Sequence, residues 1–254
     1  MSFPVLISLS SFGAAEVRRH GQAWFARLAE EAGADGVEVR GELLVEPDSE
    51  LPAIAQAVPG LERVFSSPQP LCSEDGTLNL DALERGLDAA RKLAARRLKM
   101  SIGAGVGASP ASLRALRDRL ADAEIELLVE NDQTADAGTL GALGRFLASA
   151  DEQGLSLGMT FDIGNWHWTG ECPLRAADVF ATRVRYVHCK GVQRQPQRWV
   201  AVPLEDSAAP WRAVLRALPT GLPWAIEYPL AADDLLAVTR REIALLRAVA
   251  GSAS

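Results

Sequence analysis

The stretches Leu127-Leu128-Val129-Glu130-Asn131-Asp132 and Met159-Thr160-Phe161-Asp162-Ile163-Gly164-Asn165 share one layout, a short apolar run that ends on a carboxylate and breaks into a polar turn. Between them, residues 139–153 carry apolar side chains at three- and four-residue spacing, the period of an amphipathic helix. Strand, helix, strand in that order is the pattern of a parallel βαβ unit. Outward from this unit the pattern continues in both directions. Further strands are predicted at residues 5–9, 36–40, 62–66, 97–102, 183–190 and 224–228. Helices are predicted at 16–32, 80–95, 109–121, 210–218 and 232–249, with shorter helical stretches near 50–58 and 174–181. Eight strand–helix pairs predict closure into a (β/α)8 barrel. An open doubly wound sheet usually has fewer strands and a glycine-rich turn after the first, whereas Ser8-Leu9-Ser10-Ser11-Phe12-Gly13 has no such turn. Ser109-Pro110 reads as an N-cap and first helical residue, and Gly33, Gly60 and Gly154 fall where helices would stop. No Pro/Ser-rich linker divides the chain, so a single domain is expected over residues 1–250, with 251–254 as a flexible tail.

The chain of 254 residues is 48% hydrophobic and 23% charged, a balance that supports a buried core. A formal net charge of -7 with no long Lys/Arg block disfavours a nucleic-acid partner, because it repels a phosphate backbone. Cys72, Cys172 and Cys189 are odd in number, far apart and without a C-x-x-C pair, which fits a reducing compartment. The first residues, Met1 to Ile7, have no basic region and too short an apolar run for a signal peptide or a membrane span. The expectation is a cytoplasmic protein with no membrane partner; self-association into a homo-oligomer stays open.

In a parallel barrel, chemistry belongs to the C-terminal strand ends, which converge on one mouth. Glu130 and Asp162 close the fifth and sixth strands, His188 lies near the end of the seventh, and Glu227 ends the eighth. Any one of these acids could instead cap a helix or pair with arginine. Together they would repel one another unless a cation lay among them, so the set predicts a divalent metal site. Three carboxylates and one imidazole favour Mn²⁺ or Mg²⁺ and admit Zn²⁺, Co²⁺ or Fe²⁺. Strand alternation puts Lys190 on the face of His188, where it either stabilises an oxyanion or stands as a solvated rim lysine. The same alternation pairs Glu38 with Arg40 and Lys99 with Ser101, and predicts a Glu38–Lys99 ion pair under the site. In Asn165-Trp166-His167-Trp168-Thr169-Gly170 the indoles suit either stacking on a sugar ring or packing as a lid. The glycines of residues 103–107 carry little weight, and His20 reads as a surface residue.

These segments, with Gly36-Val37-Glu38-Val39-Arg40 and Ile226-Glu227, resemble the xylose-isomerase-like TIM-barrel superfamily of sugar isomerases and epimerases over nearly the whole chain. That superfamily also includes endonuclease IV-type enzymes and dehydroshikimate dehydratases. The resemblance implies that Glu130, Asp162, His188 and Glu227 bind the metal, with Glu130 and Glu227 as the proton-transfer groups on opposite faces of the substrate. It places Arg194, six residues beyond His188, where ketose 3-epimerases often have a substrate-contacting arginine. Many members have a histidine three residues after the aspartate; here that position is Asn165 and the nearest histidine is His167. The run Glu130-Asn131-Asp132-Gln133-Thr134 resembles a branch linked to 2-ketogluconate utilisation. The expected function is a metal-dependent isomerase or epimerase of a small sugar or sugar acid, working by proton transfer through a metal-stabilised enediolate. Its expected catalytic groups are Glu130, Glu227 and Lys190, with Glu38, Lys99, Asn165, Trp166, His167 and Arg194 about the substrate. A dehydratase or lyase on the same metal site remains open, as does a barrel that binds a sugar acid without turning it over. An endonuclease is disfavoured by the acidic balance and by only three histidines.

Overall fold

Eight parallel strands close into a barrel in the computed structural model, which describes residues 4–251. They are β1 (Val5–Ser8), β2 (Gly36–Arg40), β3 (Glu62–Ser66), β4 (Arg97–Ser101), β5 (Glu126–Glu130), β6 (Gly158–Asp162), β7 (Val184–Cys189) and β10 (Trp224–Ile226). Each pairs with its neighbour in sequence order, and β10 returns to β1 to complete the ring. Two further strands, β8 (Gly191–Arg194) and β9 (Trp199–Val202), form an antiparallel hairpin outside the ring. The helices are α1 (Ala14–His20), α2 (Gln22–Glu31), α3 (Pro47–Ala57), α4 (Leu80–Lys92), α5 (Pro110–Leu120), α6 (Leu140–Glu152), α7 (Pro173–Phe180), α8 (Trp211–Ala217) and α9 (Leu235–Gly251).

Two apolar layers hold this arrangement. One lies between strands and helices and collects the residues at odd positions of β2 and β5, such as Val37, Val39, Leu127 and Val129, with the inner faces of the helices. The other lies inside the ring, where Leu6, Val64, Leu128, Tyr186 and Ala225 form a separate buried cluster. Side chains alternate across a strand, so the residues two positions further along each strand occupy the next level up the same interior. That level reads Ser8, Ser66, Glu130, His188 and Glu227, and the register sets Ser8 beside Glu38, Ser101 beside Glu130 and Asp162 beside His188. A greasy plug therefore lies under a polar floor.

The predicted strands and most predicted helices are present, with differences that have local causes. The helix expected over 16–32 is interrupted at Gly21, whose φ of 79° ends α1 and starts α2; an L side chain would be strained there. The seventh strand stops at Cys189, and Lys190 is the link into the hairpin. The eighth stops at Ile226, so Glu227 is the first residue past its end. Helix α9 runs through Gly251, the first residue of the expected tail; the other residues assigned to that tail, 252–254, lie outside the described residues. Among the described residues no helix is long and apolar enough to cross a membrane.

Candidate metal centre

The upper level of the barrel interior gathers seven charged side chains besides a histidine. His188, fully buried, is gripped from both ring nitrogens. Its Nε2 lies 2.7 Å from Glu38 Oε2, and its Nδ1 lies 2.9 Å from Glu130 Oε1, 2.9 Å from Glu227 Oε2 and 3.9 Å from Asp162 Oδ2. Cations interleave these acids. Lys99 Nζ stands 2.7 Å from Glu130 Oε2 and 3.3 Å from Glu38 Oε1, which realises the expected Glu38–Lys99 pair. Lys190 Nζ stands 2.7 Å from Asp162 Oδ2, 2.9 Å from Glu227 Oε2 and 3.0 Å from Asn165 Oδ1. Arg40 donates from one guanidinium nitrogen to Glu38 Oε1 at 3.0 Å and to Glu227 Oε1 at 2.6 Å.

Local structure explains why the acids point this way. Asn131 accepts a hydrogen bond from the Asp162 backbone N–H and donates one to the Asp162 carbonyl, both 2.9 Å, clasping the ends of β5 and β6. Asp162 Oδ1 accepts from the backbone N–H groups of Gly164 and Asn165, which turns its other oxygen toward the centre. Gly164 is required for this turn, since a Cβ there would lie 2.9 Å from the Lys190 carbonyl and 3.0 Å from Lys190 Cγ. Asn131 and Gly164 therefore shape the site without touching its centre.

Electrostatics follow from burial against pairing. Burial opposes ionisation of Glu38, Glu130 and Glu227, but His188 with Lys99 or Lys190 outweighs it and holds all three carboxyls below the usual range. Asp162 differs: burial dominates, Lys190 offsets it only partly, and the carboxyl is pushed up to about 6. Burial likewise opposes the imidazolium of His188, yet Glu227 and Glu38 hold it well above its ordinary value.

One ligand atom from each of Glu130, Asp162, His188 and Glu227 lies within 4.8 Å of the others, an arrangement able to hold a divalent ion. Two observations show that the donors fit such an ion. Asp162 Oδ2 is buried, and its one close partner is the Lys190 ammonium at 2.7 Å, which leaves a carboxylate lone pair free for an ion. With Nε2–H of His188 directed at Glu38, the Nδ1 lone pair faces three acceptor-only carboxylates, a meeting that only a proton or a cation reconciles. Glu38 then has the place of the carboxylate that commonly fixes a metal-binding histidine from behind.

The remaining expectations divide. Lys190 is 9% exposed, so the reading of a solvated rim lysine is set aside. Asn165 is buried with its amide engaged, Nδ2 donating to the Asn131 carbonyl and Oδ1 accepting from Lys190 and Gln133, so it holds Lys190 in place. Trp166 is fully buried, its ring 5.4 Å from that of Phe161 and 6.1 Å from that of Phe180, so stacking on a sugar is corrected to core packing. His167 and Arg194 line a separate cleft of about 570 Å³ with Trp168 and Trp199. None of the four candidate ligands lines that cleft. Arg40 and Asn131 are the contributors that strand-end reasoning left out of the site; period-two alternation with Glu38 carried the signal for Arg40.

Comparison with known proteins agrees with this architecture. No functionally curated protein matches by sequence. D-allulose 3-epimerase from Methylomonas sp., solved with D-allulose, superposes with a TM-score of 0.70 at 15% identity over 98% of this chain and 99% of that one. A 3-keto-D-glucoside 4-epimerase from E. coli superposes at 0.69 and 14% identity over 97% and 99%, and a probable 3-DHS dehydratase from Bacillus anthracis at 0.69 and 14% over 96% and 98%. The chain spans only 42% of a xylose isomerase-like TIM barrel/4-hydroxyphenylpyruvate dioxygenase fusion protein that it also matches, at 0.71 and 15% identity. At such identities these likenesses show the fold alone. The model of the xylose isomerase-like TIM barrel family matches residues 26–249, and the chain belongs to that family.

Proposed function

We propose that the protein is a divalent-metal-dependent isomerase or epimerase of a small carbohydrate. The observation that carries this reading is the convergence of Glu130, Asp162, His188 and Glu227 within 4.8 Å at the C-terminal end of the barrel. Epimerases among the similarly folded proteins, acting on an allulose and a keto-glucoside, support it by analogy. When bound by these four residues, an Mn²⁺ or Mg²⁺ ion supplies Lewis-acid polarisation of a substrate carbonyl. The chain's own residues do the rest. Glu130 and Glu227 come from strands separated by β6 and β7, so their carboxylates approach the centre from different sides. Both are held ionised, which suits them to accept a proton from the carbon beside the carbonyl. Delivery of a proton by the other glutamate to the opposite face of the same carbon gives an epimer; delivery to the neighbouring carbon, with the hydroxyl proton shifting between the two oxygens, exchanges aldose and ketose. Lys190, held by Asn165, presents an ammonium donor to the negative charge that develops on oxygen.

The test is hydrogen exchange from D₂O into a panel of sugars and sugar acids with metal-loaded protein. Exchange with an isomer or epimer as product supports the proposal, and net loss of water assigns a dehydratase instead. Glu227→Gln should lower turnover by about 100- to 10,000-fold while leaving the circular dichroism spectrum unchanged. Near-normal turnover in that variant would remove Glu227 from the mechanism.

A further inference from the structure

We infer that Arg40, set in place by Gln22, is a positioning residue that confines Glu227 to binding the metal through a single oxygen. This rests on the metal-dependent reading above and deepens it. The three carboxylates of the candidate site divide their oxygens in the same way. Asp162 accepts through Oδ1 from the backbone N–H groups of Gly164 and Asn165, which leaves Oδ2 toward the centre. Glu130 sets Oε2 against Lys99 at 2.7 Å, while Oε1 lies 2.9 Å from His188 Nδ1. Glu227 accepts through Oε1 from Arg40 at 2.6 Å, while Oε2 lies 2.9 Å from the same histidine nitrogen. A carboxylate that turned both oxygens to an ion would fill two positions of its coordination sphere, so each of these ties keeps one position clear for a substrate oxygen.

Glu227 is the ligand most in need of such a tie. Glu130 and Asp162 stand within β5 and β6, whereas Glu227 is the first residue past β10, where strand pairing no longer directs its side chain. Arg40 supplies the tie with a guanidinium held on both edges. Its Nε and Nη2 each lie 2.9 Å from Glu42 Oε1 at the rim, and its Nη1 donates to Glu38 Oε1 at 3.0 Å as well as to Glu227. The planar fork fixes these directions relative to one another, which the rotating ammonium of a lysine does not. The root of the side chain is fixed too. Arg40 pairs with Ser66 of β3 on one side, but β1 ends at Ser8, opposite Glu38 and two residues short of Arg40. Gln22, the first residue of α2 and 1% exposed, takes the missing place. Its Nε2 donates to the Arg40 carbonyl at 2.9 Å, and its Oε1 accepts from the Arg40 backbone N–H at 2.8 Å. A side-chain amide carries the same donor and acceptor as a peptide group, so it continues the sheet by one more residue exactly where the arginine departs.

The experiment loads the protein with Mn²⁺ and counts the waters exchanging at the ion by water-proton relaxation, with no substrate present. Four ligands giving one donor atom each leave about two of about six positions to water. In Arg40→Met the released oxygen of Glu227 turns to the ion, and about one exchanging water is expected with Mn²⁺ still bound one per chain. Gln22→Leu keeps the guanidinium but loosens its root, and a smaller loss in the same direction is expected. Adding Glu227→Gln to Arg40→Met should bring the lost water back, because an amide offers the ion only one oxygen; damage to packing alone would not be reversed by a second substitution. An unchanged water count in Arg40→Met and Gln22→Leu overturns the inference, as does a count that stays low in the double variant. Should Arg40→Met fail to fold, judged by circular dichroism, Gln22→Leu decides alone. Failure of the unaltered protein to take up any divalent ion removes the proposed function and this inference together. Full Mn²⁺ uptake and hydrogen exchange on a sugar, with a water count indifferent to Arg40 and Gln22, removes this inference alone.

Discussion

Leu128 and Glu130 are two residues apart on one strand and face the same barrel interior, yet they belong to opposite physical regimes. The lower level, with Leu6, Val64, Tyr186 and Ala225, is held by removal of apolar surface from water, a non-directional gain that tolerates small shifts. The upper level, with Glu38, Lys99, Asp162, His188 and Lys190, carries charges whose desolvation is repaid only when every partner is in place. One strand end thus supplies both the stability of the barrel and the cost of its site. The comparison teaches that the plug is what allows a cluster so rich in like charges to be held at fixed distances.

That contrast can be broken from either side. The largest effect is expected in the plug: Leu128→Ala should cost about 2–5 kcal/mol of unfolding free energy, read by urea denaturation, while metal affinity of the folded fraction changes little. A large loss of metal affinity with unchanged stability would show that the two levels are not separable. Next comes Glu38→Gln, which keeps the size of the side chain but removes the charge behind His188 Nε2. Metal affinity is expected to fall by about 10- to 100-fold, measured by competition with a chelator, whereas the melting temperature should move only modestly. Unaltered affinity would deny Glu38 its orienting role.

The smallest effect is the pH dependence of metal uptake. His188 is held well above its ordinary value, so across neutral pH it carries a proton that an ion at Nδ1 must displace. Affinity should therefore fall about tenfold for each unit of acidification, with one proton released per ion bound. Below about 6, Asp162 also binds a proton and the fall should steepen. The sign is fixed: both groups compete with the metal as protons are added, so uptake strengthens as pH rises. Chelator titrations at pH 5.5, 6.5 and 7.5 would check the slope, and a flat profile would contradict a ligand role for Nδ1.

The carboxylate-ended runs at Glu130 and Asp162 were readable because strand periodicity is local: each residue's face follows from its parity, and parity needs no tertiary information. The same rule carried the Glu38–Lys99 pair, which depends on barrel closure only through the neighbouring strands β3 and β4. Arg40 obeyed the parity rule too, but its contact with Glu227 joins β2 to the residue after β10, and only a closed ring brings those ends together. The loop after β6 shows the opposite case. Nothing in Asn165-Trp166-His167-Trp168 tells which indole turns inward, because a short 3-10 turn has no sustained period; the hollow between Phe161 and Phe180 chose Trp166. The hairpin of β8 and β9 was equally hidden, its strands being four residues each.

By itself, then, the sequence determined the alternation of strands and helices, and with it the acids and the histidine at the strand ends, since both follow from spacing along the chain. Tertiary structure alone decided that those groups meet, that Arg40, Lys99 and Lys190 stand between them, that Asn165 holds Lys190 and that Trp166 packs into the core. The physical reason is that charge and packing act over distances of a few ångströms between residues far apart in sequence, and closure of the ring sets those distances.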